Sequence, residues 1–488
     1  MATELMMARL VMGIDAGTTG VRALLLDEEG NVAASAYREI ASHYPRPQWM
    51  EQDPDAIRTS MREVIDAAIA AAKATARDVA AVGITNQRSS IVAWDGPAGR
   101  PLSPMLIWQD TRGADRCREL QDQGLYITPM MAASKAEWIL QNVPAAREAA
   151  ASGRLRLGTP NAFLAACLCG DVHISDHGNA STTGLYSYFQ NDWDPGPLAA
   201  LGLDPAILPK LVDSSGELAR TTVAGFGAEV SLAGMAGDQQ ASLFGLGCVE
   251  LSQAKCSYGT SAMITMNSGE SVAFGGAGTY PIVAWRYDGR TVLSLEGQVV
   301  TAGAAVQWLR DGLGVVADAA ETARLAASVE DSGGVWAVPA FQGLGTPVML
   351  EQAKAMIGGL SRGSTRAHIV RAVLEGIAHR VADVAESIAE GVAAPSSLRA
   401  DGGASRNDFL MQAQADLLGI PVERSAVTDG AALGAARLAG VGTGVWPREA
   451  ASAFVADRVF EPSISSDERA ARRALWKKRL DLVVTEAG

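Results

Sequence analysis

Asp15-Ala16-Gly17-Thr18-Thr19-Gly20-Val21-Arg22 joins two short apolar runs, Leu10 to Ile14 and Ala23 to Asp27. Gly and other small residues let backbone N–H groups approach an anion closely. Thr18 and Thr19 add hydroxyl donors, and Asp15 can hold Mg2+ through water. The stretch fits neither the G-x-x-x-x-G-K-[ST] loop nor G-x-G-x-x-G, and its context is strand-turn-strand. Taken alone, the octapeptide reads as readily as a hairpin turn without a ligand. Similar turns recur at Tyr258-Gly259-Thr260-Ser261 and Asp401-Gly402-Gly403-Ala404. Three such turns, each following an apolar strand, supply donors for one polyphosphate and favour a nucleotide-binding protein.

Outward from this loop, Glu29-Gly30-Asn31 supplies a turn into a third strand, Val32 to Arg38. Asp53 then caps a helix with Pro54 at its first position and Ile57, Met61, Val64, Ile65, Ala68 and Ile69 at helical spacing. Ala80 to Ile84 reads as a buried strand ending in Thr85-Asn86-Gln87-Arg88. Strands alternating with helices predict an α/β layer with a mostly parallel sheet, whose ligands lie beyond the strand C-termini. The second half repeats this grammar. Ala233 to Ala236 leads into Gly237-Asp238 and a helix, and Lys255 to Met266 forms a strand pair. A long helix spans Ser364 to Glu390, with Ser364 as its candidate cap. Leu398 to Ala400 precedes a helix ending at Leu418, with Gly419 as its C′ residue. The expected division is 1–247 and 248–488.

The 488 residues carry 41 Lys plus Arg against 54 Asp plus Glu, a formal charge of −13. Nucleic acid and anionic membrane surfaces are therefore poor partners. Five cysteines without a C-x-x-C pair point to reduced thiols and a cytoplasmic enzyme. The start lacks a basic segment followed by an uninterrupted apolar one, so no signal peptide is expected, and no apolar run is long enough to span a bilayer. His173 and His177 are read as strand positions rather than zinc ligands, and Cys167-Leu168-Cys169 as core.

Asp15-Ala16-Gly17-Thr18-Thr19, Gly83 to Arg88, Trp108-Gln109, Ala236-Gly237-Asp238-Gln239-Gln240, Tyr258-Gly259-Thr260, Gly303 to Arg310 and Asp401-Gly402-Gly403 together resemble the FGGY carbohydrate kinases, most of all their glycerol-kinase branch. The resemblance runs from about residue 10 to 480 in one order. It implies an α/β fold of two actin-like (ribonuclease-H-like) domains with the active site in the cleft, ATP and Mg2+ as cosubstrates, and phosphoryl transfer to a hydroxyl of a small polyol or sugar. A homo-oligomer, dimer or tetramer, is compatible with it.

By the same resemblance Asp238 is the catalytic base. Arg88, Ser89, Trp108, Met130, Gln239 and Met263 fall at acceptor-binding positions. Thr18, Thr19, Arg22, Thr260, Gly303, Gln307, Gly403 and Asn407 are nucleotide-side, and Asp15 with Asp238 serves the metal. Each has an ordinary structural reading beside it: Asp238 as a helix cap, Arg88 as a solvated strand end. At three pocket positions the chain departs from glycerol kinases. Ser89 replaces a glutamate, Met130 stands where they have a tyrosine, and Met263 where they have a phenylalanine. Methionine tolerates varied shapes, and losing a carboxylate acceptor should shift preference among hydroxylated substrates. A longer polyol or ketose is the expected acceptor, with glycerol kinase proper as the alternative. A non-catalytic actin-like ATP sensor is the competing class.

Overall fold

The computed structural model describes residues 10–487, and the reading of the first residues as lacking a signal peptide lies outside it. Two compact units emerge. Of the described residues, the first comprises those up to 245, with 282–292 and 431–452, and the second 246–281, 293–430 and those from 453 on, so the chain passes between them more than once.

The first unit is built on strands β1 (Leu10–Ala16), β2 (Gly20–Leu26), β3 (Val32–Glu39), β4 (Val79–Asn86), β5 (Ser215–Arg220) and β6 (Ser231–Gly237), ordered β5-β6-β4-β1-β2-β3. β1, β2 and β3 pair antiparallel, whereas β4 lies parallel to both β1 and β6. The expectation of a mostly parallel sheet is therefore corrected to a mixed one. The tight turns at 17–19 and 27–31 permit hairpins, which a parallel crossover could not use.

Alternation along β1 sends Met12, Ile14 and Ala16 into a core shared with the helices Pro54–Ala71 and Pro160–Cys169. Asp53 caps the first of these by accepting from the Asp55 N–H at 2.9 Å. The other sheet face receives the helix Gly430–Gly442. There Gly13, Gly83 and Gly234 form a row across β1, β4 and β6. A methyl at Gly13 would collide with the Ala432 carbonyl, one at Gly83 with that of Ala435, and one at Gly234 would stand 2.7 Å from the Ala439 nitrogen. Glycine is required here by close approach of a helix backbone.

The second unit carries β7 (Ala254–Tyr258), β8 (Ala262–Gly269), β10 (Arg290–Val299, mainly from Leu293 on), β11 (Leu398–Asp401), β12 (Val422–Ser425) and β13 (Ala456–Phe460), ordered β10-β8-β7-β11-β12-β13, while β9 (Tyr280–Tyr287) falls mostly in the 282–292 segment of the first unit. The inner order β10-β8-β7-β11-β12 repeats β3-β2-β1-β4-β6, with antiparallel and parallel pairings in the same places. This repetition agrees with the duplicated organisation that the resemblance implies.

The long helix runs Arg366–Ala389, with Thr365 rather than Ser364 at its cap, where the Thr365 N–H and hydroxyl meet His368 Nδ1. The charge-rich C-terminal helix is partly buried. Within Ser466–Ala487, Trp476 and Arg473 are buried, and the Asp383 carboxylate accepts from Arg380, Arg473 and the Trp476 indole. Among the described residues no helix is long and apolar enough to cross a membrane.

Candidate active site

In the first unit three strands end side by side. Asp15 on β1 lies opposite Thr85 on β4, and Thr85 in turn lies opposite Ala236 on β6. The helix Asp238–Gly245 starts at once after β6. Asp238 Oδ1 accepts from the Gln239 N–H at 2.8 Å and stands 3.2 Å from Arg88 Nε. The Arg88 side chain is 11% exposed and that of Asp238 32%, which leaves the carboxylate accessible beside a largely enclosed cation. Gly237 makes room for this pair, since a methyl there would stand 2.6 Å from Arg88 Cδ. Gln240, the neighbour of the expected acceptor-side Gln239, touches Arg88, its Oε1 accepting from a terminal guanidinium nitrogen at 3.3 Å.

The loop after β1 is held by a chain of buried amides. The Thr18 carbonyl accepts from Gln52 Nε2 at 2.6 Å, Gln52 Oε1 from Gln87 Nε2 at 2.8 Å, and Gln87 Oε1 from the Ser90 hydroxyl at 3.0 Å. Trp108 closes the circuit. Its backbone N–H donates to Ser90 Oγ and its indole N–H to Thr18 Oγ1, both at 3.0 Å. Trp108 therefore ties the loop to the Arg88 segment. The Thr19 carbonyl accepts from the Tyr37 hydroxyl at 3.1 Å, and Arg22 lies over the Tyr37 ring at 5.0 Å.

A five-residue helix, His177–Ser181, underlies the Arg88 segment. Asn179 Oδ1 accepts from Asn86 Nδ2, the Gly178 carbonyl from Gln240 Nε2, and the Thr182 carbonyl from the Ser89 hydroxyl. Ser89 adopts φ +59°, so the chain turns sharply after Arg88. Asp176 caps the helix and receives both Asn161 and Asn179, and its burial pushes the carboxyl up to about 6. The sequence reading placed His173 and His177 on a strand, but the strand covers only Ile174–Asp176, leaving His173 before it and His177 at the start of the helix. An Asp followed three residues later by the N–H it caps was the usable signal. His177 meets the Tyr186 hydroxyl and Arg286, and His173 the Leu157 carbonyl.

Met130 is 42% exposed. The carbonyls of Pro129, Met130 and Met131 accept from one fully buried ammonium, Lys135 Nζ, at 2.7, 2.9 and 3.0 Å. Nearby, Arg112 lies between the Trp49 and Trp138 rings and pairs with Asp110 and Glu51.

In the second unit Thr260 sits in the turn between β7 and β8, its carbonyl accepting from the N–H groups of Ala302 and Ala304 at 3.0 Å. Gly303 packs on the same turn, where a methyl would stand 2.5 Å from the Gly259 carbonyl. Gln307 is exposed at the end of the helix Gly303–Gln307. Gly402 has φ +87° and abuts the Tyr258 carbonyl, whereas a methyl at Gly403 would meet open space. Asn407 works as a cap, accepting from the Leu410 N–H and donating to Thr322 Oγ1. Met263 is buried, with the Tyr280 hydroxyl 3.9 Å from its sulfur.

Comparison with known proteins places this geometry. The FGGY carbohydrate kinase N-terminal domain matches residues 10–245 and the C-terminal domain residues 254–443. The chain is 43% identical to glycerol kinase 2 of Thermotoga maritima over 96% of its own length and 98% of that protein's. It is 42% identical to glycerol kinase of Dechloromonas aromatica, covering 97% of each. Among solved structures, Plasmodium falciparum glycerol kinase with ADP superposes with a TM-score of 0.90 at 27% identity over 98% of both chains. A Brucella ovis xylulose kinase gives 0.85 at 27%, covering 98% of this chain and 99% of that one. The fold and the site define a phosphotransferase with an alcohol group as acceptor. The chain belongs to the FGGY family of carbohydrate kinases.

Proposed function

We propose that this protein transfers the γ-phosphoryl group of ATP to a hydroxyl of a small polyol or ketose other than glycerol. The pairing of Arg88 with Asp238 carries the reading. Phosphoryl transfer needs an acceptor oxygen placed in line and a group to take its proton. Asp238 is the accessible carboxylate, and Arg88 is the adjacent donor to acceptor hydroxyls. Ser89, Met130, Met263 and Gln239 complete the acceptor side, with Trp108 acting through Thr18 as well as through its ring. Thr18, Thr19 and Arg22 serve the phosphates, and Thr260, Gly303, Gln307, Gly403 and Asn407 the adenosine side. The open space at Gly403 fits a base or ribose that a Cβ would obstruct.

The residues also suit Mg2+. Asp15 near the end of β1 and Asp238 just past β6 flank the end of β4, and between them Thr85 Oγ1 and Asn86 Oδ1 are buried without a protein hydrogen-bond partner. An all-oxygen set that leaves room for water is what this cation takes. When bound it would neutralise charge on the phosphates.

The departures at Ser89 and Met130 support a wider acceptor range. The Ser89 hydroxyl already donates to Thr182, and Met130 is a flexible, half-exposed wall. The 43% identity to a glycerol kinase favours the second reading, glycerol itself. ADP release with ATP and a panel of C3 to C6 polyols and ketoses decides between them. A kcat/KM clearly highest for glycerol rejects the first reading, and no acceptor dependence at all rejects both.

A further inference from the structure

Arg88 is gripped by two side chains of one helix, Asp238 at Nε and Gln240 at a terminal nitrogen. Gln240 is 0% exposed, and its amide faces groups of opposite polarity. Oε1 meets the guanidinium, which can only donate. Nε2 lies 3.2 Å from the Gly178 carbonyl and 3.4 Å from that of Val283, which can only accept. The reversed amide would set N–H against N–H and oxygen against two oxygens, so its partners fix its orientation. Gly237 leaves the space it occupies, since a methyl there would stand 2.6 Å from Oε1.

The two grips differ in one chemical respect. When Asp238 takes the acceptor proton it becomes neutral, and its attraction for Arg88 falls. Gln240 carries no titrating proton, and the helix His177–Ser181 anchors its far end. We propose that Gln240 is the positioning residue that keeps Arg88 aimed at the acceptor while Asp238 changes charge. The inference rests on the kinase reading above. It assigns Gln240 an effect on acceptor binding that passes through Arg88 alone.

Two full-length variants test it, assayed with ATP and whichever acceptor the panel selects. Gln240→Met fills a similar volume but offers Arg88 no oxygen. Its acceptor KM should rise about tenfold, the loss typical of one hydrogen bond to a charged group, while the ATP KM stays within about twofold. Gln240→Glu keeps an oxygen toward Arg88 and lacks the two donors. It should hold the acceptor KM within about threefold while the melting temperature falls. A general packing role would instead move both KM values and kcat together in both variants. An unchanged acceptor KM in folded Gln240→Met, or a parallel rise in the ATP KM, overturns the proposal. If the methionine variant does not fold, the glutamate variant decides: a retained acceptor KM supports the proposal, and a rise well beyond threefold sinks it. A wild-type enzyme without acceptor-dependent turnover would instead sink the kinase reading, so the two failures are distinguishable.

Discussion

Arg88 Nε stands 3.2 Å from Asp238 Oδ1, an ion pair between a residue two positions past β4 and the first residue of the helix after β6. The contact exists because β4 and β6 run parallel and end level, with Asn86 opposite Gly237. The pair is partly exposed, so its contribution to stability is small, on the order of 1 kcal/mol or less. Its value lies in placing an accessible carboxylate beside a largely enclosed cation.

Asp238→Asn keeps an oxygen for the Gln239 N–H and removes the proton acceptor. The expected result is a loss of about 10²-fold or more in kcat, with the melting temperature nearly unchanged. A rate near wild type would remove Asp238 from the chemistry.

Ser89→Glu restores the carboxylate that glycerol kinases carry at this position. Both residues must adopt φ +59°, so the substitution adds no backbone strain of a new kind. The ratio of kcat/KM for glycerol to that for longer polyols should rise by about tenfold or more, the scale on which a site's hydroxyl partners discriminate. Steady-state assays over the same panel measure it, and an unchanged ratio would place Ser89 outside the acceptor site.

Two glycine substitutions separate folding from binding. Gly403→Ala meets no neighbour, so the melting temperature should hold while the KM for ATP rises. Gly83→Ala drives a methyl into the Ala435 backbone and should cost about 1–3 kcal/mol or more. Thermal melts run beside ATP titrations read both effects. A stable Gly403→Ala with unaltered ATP affinity would exclude that position from the nucleotide side.

Acid should weaken the fold. Burial holds the His173 and His177 rings down at about 4, and His379, buried and facing Arg473, well below its ordinary value. The folded chain thus disfavours the charged ring, while the unfolded chain protonates near about 6.5. Above that pH neither state binds the proton. Between about 6.5 and 4 only the unfolded state does, so stability falls as pH drops through this window. Asp176 works the other way, because its raised carboxyl takes a proton first in the folded state, but it stands against three rings. Melting temperatures at pH 7.5, 6 and 5 should decline, and His379→Gln should decline less. A melt flat across that range would falsify the assignment.

Much of the fold was legible in the sequence. Asp53-Pro54 and its apolar spacing marked the helix to Ala71, and Gly419, at φ +70°, ended the helix begun at Asp408. The loop at 15–22, Gly237-Asp238 and Arg88 stood out as chemistry through their resemblance to the family's motifs, since each also has an ordinary structural reading. Gln240 was not, and neither was the helix His177–Ser181. A buried glutamine beside Gln239 has no distinguishing pattern, and five residues are too few for a helical period to show. The long helix's cap moved from Ser364 to Thr365, because neighbouring hydroxyls compete for one role.

The sequence by itself determined membership of the FGGY kinases and the succession of strands and turns, and it nominated the carboxylates and cations proposed for the chemistry. These follow from local residue types, which set backbone geometry and charge wherever the chain goes. The tertiary structure alone decided which side chains meet: Arg88 with Asp238 and Gln240, Trp108 with Thr18, and the helix Gly430–Gly442 on the glycine row of a sheet formed far earlier in the chain. Such pairings depend on strand register and on where a helix can approach, and neither quantity is carried by any one segment.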